Sequence, residues 1–232
     1  MKNFVLVTAL LVLILQNNFA ESLGLDFKKL GDGKYVCTYE EHYYDGVGES
    51  VLTIQKYNNG YLAVWDGITD RTEVYTDLEF NTQKMVITDQ DTDLTVEREG
   101  ALLKVYGFDA GKSVKKELAI KLPNWYQILP FSLIPFSISE DNRIEFSLFD
   151  PYNLKVRNMK ITKKGTENIT VFGGQYTAIK MSMRMSGLLS PFWKSEIWNS
   201  TVNGTHLKYE GLNVVPSLYK ARIFLKKVEF LH

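Results

Sequence analysis

From Ile179 to Met185 the chain reads IKMSMRM, with Ile179, Met181, Met183 and Met185 at every second position and Lys180, Ser182 and Arg184 between them. Successive strand residues point to opposite faces, so this pattern predicts a strand with one apolar, sulfur-rich face and one polar face. The same two-residue rhythm recurs along most of the chain. VLTIQKY and YLAVW flank Asn59-Gly60, a hairpin signature. Glu99-Gly100 separates LTVERE from ALLKVYGF, Gly173-Gly174 separates NITVF from QYTAIKMSMRM, and Asn203-Gly204 separates SEIWNSTV from THLKYEG. The segment LYKARIFLKKVEF alternates more loosely. Turn signals at this spacing predict an all-β meander with little helix, either closing into a barrel or forming a single strongly curved antiparallel sheet or open half-barrel. DGITDRTEVYTDLEF has room for a helical turn, but its Thr and Val content favours strand.

One stretch breaks the rhythm. Leu122 to Ser139, LPNWYQILPFSLIPFSIS, carries no charge, and Pro123, Pro130 and Pro135 recur along it. Proline lacks an amide donor and restricts the residue before it, so neither a long helix nor a central strand fits. The expectation is an apolar flap lying against the sheet, either as a buried crossover closing the end of a barrel or as a lid over a hydrophobic cavity.

Composition narrows the class. In 232 residues, 45% hydrophobic, there is material for one sizeable core. Net charge is +0, from 27 basic and 27 acidic residues, so the basic excess needed for non-specific nucleic-acid binding is missing. Lys2 followed by the charge-free run Phe4 to Leu15 reads as a secretory signal, too short to span a bilayer. Ala20-Glu21-Ser22 suits cleavage before Leu23, with cleavage after Ala20 as the rival. The expected organisation is a signal peptide over 1–22 and a single β-domain over 23–232, exported to the periplasm or the extracellular space and soluble once cleaved. A lone cysteine, Cys37, rules out an intrachain disulfide and reads as a buried strand residue.

Chemical motifs are sparse. GFDAGKS, Gly107 to Ser113, has three residues between its glycines where a phosphate loop needs four, and no helix pattern follows it. Asp89, Asp91 and Asp93 of DQDTD begin like a calcium loop, but Leu94 stands where the glycine belongs and Gly100 where the glutamate belongs. EEHYYD offers Glu40, Glu41, His42 and Asp45, with His206 and His232 the only other histidines and no motif to bring them near, so no metal site is assigned. No serine sits in a nucleophile elbow, and three histidines and one cysteine leave little for acid–base or covalent catalysis. No catalytic residue and no cofactor is expected. Asn168, Asn199 and Asn203 head N-x-[ST] triplets, whose use depends on the source.

The second half of the chain carries a resemblance. Its signs are Gly165, Gly173-Gly174, Ala178-Ile179-Lys180, Trp198 and Leu207-Lys208-Tyr209-Glu210-Gly211, within Ile144 to Gly211. This order resembles a bacterial periplasmic domain-of-unknown-function family that is similar to the lipoprotein-carrier (LolA/LolB-like) superfamily. The resemblance implies an open, strongly curved sheet whose concave apolar face holds acyl chains or lipidated partners. It carries over no invariant functional residue. Two functions follow. The first is a non-enzymatic protein holding a lipid or acyl chain against Ile179, Met181, Met183 and Met185, with Trp125, Phe131 and Phe136 closing over it. Peripheral membrane contact is compatible with that role. The second is an envelope interaction module with a solid core and a protein or glycan partner of unknown identity. A hydrolase or lyase built on the concave face is a third reading, tested by where Glu40, His42 and His206 lie.

Overall fold

A computed structural model describes residues 25–27, 30–43, 46–171, 173–186, 193–212 and 220–232. The expected leader, residues 1–22, and Asp45 lie outside the described residues. The described residues form one antiparallel sheet of 14 strands, not closed into a barrel. β1 (Lys34–Tyr43), β2 (Gly46–Tyr57), β3 (Gly60–Asp66), β4 (Arg71–Asp77), β5 (Thr82–Thr88), β6 (Thr92–Glu99), β7 (Leu102–Asp109) and β8 (Lys112–Ala119) form a first meander. β9 (Arg143–Asp150), β10 (Lys155–Val171), β11 (Gly174–Met185), β12 (Lys194–Ser200), β13 (His206–Leu212) and β14 (Lys220–Leu231) form a second. The order across the sheet runs β8 to β1, then β14 down to β9. The meanders therefore meet at one seam, where β14 lies between β1 and β13.

Local chemistry sets the hairpins. Tyr57 pairs with Gly60, so the β2–β3 turn is Asn58-Asn59, one residue earlier than the Asn-Gly signature suggested. Asn58 takes the positive φ of 50° that the turn needs, a conformation Asn tolerates well. GFDAGKS is also a turn: Asp109 pairs with Lys112, and Ala110 and Gly111 have φ of 49° and 73°, the left-handed pair that suits a two-residue hairpin. In DQDTD, Asp89 Oδ1 accepts the amides of Asp91 at 2.8 Å and Thr92 at 2.7 Å. The aspartates there shape a turn.

Among the described residues, bulges bend the sheet where the register shifts, at Lys226 of β14, Gln83 of β5, Lys164 of β10 and Leu207 of β13. A bulge adds twist and shifts which side chains face inward.

The link between the two meanders must travel from β8 at one sheet edge to β9 at the other, and the Pro-rich segment does so. Residues 124–126 lie parallel to β9: Ser147 N donates to Asn124 O at 2.8 Å and Tyr126 N donates to Ser147 O at 3.0 Å. Trp125 O accepts from Thr82 N at 2.9 Å, tying the same residues to the start of β5. Two helical turns follow, α1 (Leu129–Ser132) and α2 (Ile134–Ile138), meeting at Leu133. Pro130 and Pro135 stand in the first turn of each, where a missing N–H leaves no bond unmade.

Three buried clusters fill the inner side. β1, β2 and β14 contribute Tyr39, Leu52, Ile54 and Leu225 to the first; β4 to β7 contribute Val74, Met85, Leu94 and Val105 to the second; β9 to β12 contribute Phe146, Met159, Met181 and Ile197 to the third. The flap enters all three, through Phe131 in the first, Trp125 in the second and Phe136 in the third. Cys37 is buried in the first cluster, and burial pushes its thiol up to about 12, which leaves it protonated and inert.

Candidate functional site

Between the inner sheet face and the flap lies a cavity of about 320 Å³. That is far more than one water needs, and it sits at the lower end of ligand-pocket volumes. The sheet supplies Trp65, Thr72, Met85, Leu148, Met183, Ile197, His206, Tyr209 and Ile223. The flap supplies Gln127, Ile128, Leu129 and Pro130, and Pro151 and Trp193 complete the described lining. Apolar atoms dominate, and no Lys or Arg is among the described lining residues.

Of the seven residues marked from the sequence, Met183 lines this cavity. Met181, Met183 and Met185 are buried in the third cluster, and Ile179 packs against it. The inward face expected for the stripe is present, but three of its four members face neighbouring side chains. Trp125, Phe131 and Phe136 are 0%, 0% and 4% exposed and stand outside the cavity lining. They anchor the flap to the three clusters, because large rings at the centre of a charge-free segment gain most by being fully covered. The flap surface that meets the cavity is the short run Gln127 to Pro130.

His206, named from the sequence only for the catalytic reading and left out of the ligand-binding set, is a polar group that reaches the cavity. Strict alternation places it on the same face as Lys208, which points outward over the Trp198 ring at 4.5 Å. The bulge at Leu207 reverses this and turns His206 inward, opposite Asn199. His206 Nδ1 lies 2.9 Å from Asn199 Oδ1. Asn199 Nδ2 donates to Ser137 Oγ at 2.7 Å, and Ser137 Oγ donates to Leu133 O at 2.8 Å. The direction of that chain fixes Asn199 Oδ1 as an acceptor, so His206 carries its proton on Nδ1 and presents a lone pair at Nε2. Burial lowers the ring's pKa from 6.5 to about 3, so the ring stays neutral. Nε2 has no partner among the described residues, and neither does the indole N–H of Trp193. Thr72 and Gln127 have partners. Thr72 Oγ1 donates to Asp70 Oδ2 at 3.4 Å. The Gln127 amide is best oriented with its oxygen accepting from Phe149 N at 2.6 Å and Trp125 Nε1 at 2.9 Å.

The groups named for a catalytic or metal reading are scattered. His42 Nε2 pairs with Glu40 Oε1 at 2.6 Å and packs on the Phe224 ring, on the opposite side of β1 from Glu41. Glu41 is buried, and burial pushes its carboxyl up from the ordinary value. Among the described residues no three metal-ligating side chains come together. Asn199 is fully buried with its amide nitrogen given to Ser137, which leaves no room for a glycan.

The residues that carried the family resemblance divide: Tyr209 lines the cavity, Ala178, Trp198 and Leu207 are buried in the first cluster, and the lysines among them make contacts of their own. Lys180 and Lys208 lie over the Trp198 ring at 4.8 and 4.5 Å, and Trp198 Nε1 donates to Glu167 Oε1 at 2.5 Å. Lys180 also pairs with Glu196 at 3.0 Å. These contacts hold β10 to β13 in register and play no part in the cavity.

Comparison with known proteins bears on the fold. No protein-family model matches the sequence, and no curated protein matches it closely. A solved β-barrel-like protein of a domain of unknown function, DUF1849, from Brucella abortus superposes with a TM-score of 0.60 at 11% identity, covering 86% of this chain and 98% of that one. The hypothetical lipoprotein YmcC from Escherichia coli gives a TM-score of 0.39 at 10% identity, covering 83% and 84%. A LolA superfamily protein from Nitrosomonas europaea gives 0.24 at 8% identity, covering 85% and 84%. The Brucella likeness shows the fold alone. A β-barrel-like domain of unknown function is the kind of fold the sequence resemblance implied. Among the described residues no helix is long and apolar enough to cross a membrane.

Proposed function

We propose that this chain is an exported, non-enzymatic carrier of an apolar ligand, held between the inner sheet face and the flap. The observation that carries this is the cavity of about 320 Å³ with an apolar lining, where Met183, Ile197, Ile223 and Met85 meet Ile128, Leu129 and Pro130. Burying hydrocarbon there is worth about 0.8 kcal/mol per methylene, so even a short chain binds measurably. Methionine at Met85 and Met183 adapts to chains of different shape. The described lining has polar groups too few and too scattered for a reacting centre, which supports binding over catalysis.

The test is mass spectrometry of organic extracts from the purified protein, paired with thermal melting in the presence of single-chain lipids. Co-purified lipid, or a melting temperature that rises with added lipid, supports the carrier. A clean extract together with an unmoved melting curve rejects it. One observation favours the second reading, an interaction module: Tyr106 and Phe108 stand 41% and 58% exposed on the outer face of β7, beside the sheet edge. Their loss would then weaken capture of a protein partner and leave lipid binding unchanged.

A further inference from the structure

The apolar cavity holds two polar atoms that hydrocarbon alone cannot satisfy, His206 Nε2 and Trp193 Nε1. His206 is 2% exposed, lines the cavity, and has Nδ1 committed to Asn199. Its Nε2 lone pair is unpartnered among the described residues. A buried acceptor left without a donor costs about 1–3 kcal/mol, and native structures rarely leave one without a purpose. The fold spends a backbone irregularity, the Leu207 bulge, on placing this ring inward instead of outward. It also holds the tautomer through Asn199 and the flap residue Ser137.

We propose that His206 accepts a hydrogen bond from the ligand, and that the cavity therefore takes a neutral, alcohol-bearing lipid in preference to a bare hydrocarbon or a fatty-acid anion. This rests on the cavity being a ligand site. The donor that Nε2 requires is an O–H at the head of an otherwise apolar molecule. A carboxylate has no proton to give, and it would be buried with no Lys or Arg among the described lining residues. A plain alkane leaves Nε2 unsatisfied. Trp193 strengthens the case from the other side: its indole N–H, also unpartnered among the described residues, needs an acceptor, and a hydroxyl oxygen is one. The ring's lowered pKa keeps it an acceptor at any physiological pH.

The experiment measures the affinities of decanol, decyl methyl ether and decanoate for the full chain at neutral pH, read from the emission of Trp65 and Trp193. The ether keeps the chain and the oxygen and carries a methyl group in place of the proton. Decanol is expected to bind about tenfold more tightly than either competitor, and the decanol-to-ether ratio is expected to fall to about one in His206→Phe. A second measurement needs no variant: in nitrogen-15 histidine-labelled protein the Nε2 resonance of His206 shifts on adding decanol and stays put on adding the ether. Equal affinity for decanol and ether, decanoate binding as tightly as decanol, a preference that survives in His206→Phe, or an unmoved Nε2 resonance each overturns the proposal while leaving the carrier standing. If none of the three probes binds, the carrier reading falls with it.

Discussion

Two residues bear unusual loads. His206 is held neutral by burial, with its pKa lowered from 6.5 to about 3. A base depressed in the fold contributes stability that is present above its unfolded value and lost as pH falls toward its folded one. The loss runs from about pH 6.5 down to about pH 3, at about 1.4 kcal/mol per pH unit. Glu41, raised by burial, acts with the opposite sign: its contribution is present at low pH and lost as pH rises through its folded value. Urea unfolding of the wild type and His206→Leu across that range should therefore show a shallower acid limb in the variant. Gly107 carries the other load. Its φ is +133°, and an added Cβ would lie 2.0 Å from the Asp93 carbonyl oxygen of the neighbouring strand. Gly107→Ala is expected to cost about 3 kcal/mol, checked by the same urea titration. Single residues were the hardest scale to read in advance. Alternation gave the inward face of Met181, Met183 and Met185, but parity counting fails at a bulge. Nothing local in HLKYEG announces the register shift at Leu207, so parity counting alone would set His206 beside Lys208, whereas it lies opposite Asn199.

The flap shows what an irregular element gains by being tied at several points. Its backbone pairs with the edge of β9 and with Thr82, and its side chains enter all three clusters. Phe131, fully buried against Phe80 at 4.8 Å between ring centroids, is one of these ties. Phe131→Ala should lose about 3–5 kcal/mol of stability in a denaturant titration. Ser137→Ala is milder in stability, at about 1–3 kcal/mol, since it strands the Asn199 amide. Its more telling effect should be faster hydrogen exchange at the amides of α2, because the ring of Asn199 and His206 no longer tethers that turn. The sequence announced this element clearly through its prolines and missing charges. It did not announce which aromatics are anchors, because all of them look alike until the segment's path across the sheet is known. The hairpins were legible too, with an error of one residue at Asn58-Asn59, since Asn and Gly compete for the same left-handed position.

At the scale of the molecule, a ligand that enters the cavity binds the folded state alone. Carrier function then predicts that alcohol at about a hundred times its dissociation constant adds about 2.7 kcal/mol of stability, measured as a rise in the urea midpoint. The all-β architecture was legible from turn spacing because antiparallel meanders pair neighbours in sequence, which is true of every pairing here except one. That exception is β1 with β14. Deleting Lys220 to Leu231 should accordingly break unfolding into separate, weaker transitions instead of one.

The seam has a consequence for how the chain comes into being. Of the described strands, the one that stitches the meanders together is the last to leave the ribosome or a translocation pore. Until it arrives, β1 and β13 both present bare backbone to whatever lies nearby, including another nascent copy. The fold is thus most vulnerable to mispairing in the moments before β14 arrives, and a chaperone that shields those two margins would help most at that step.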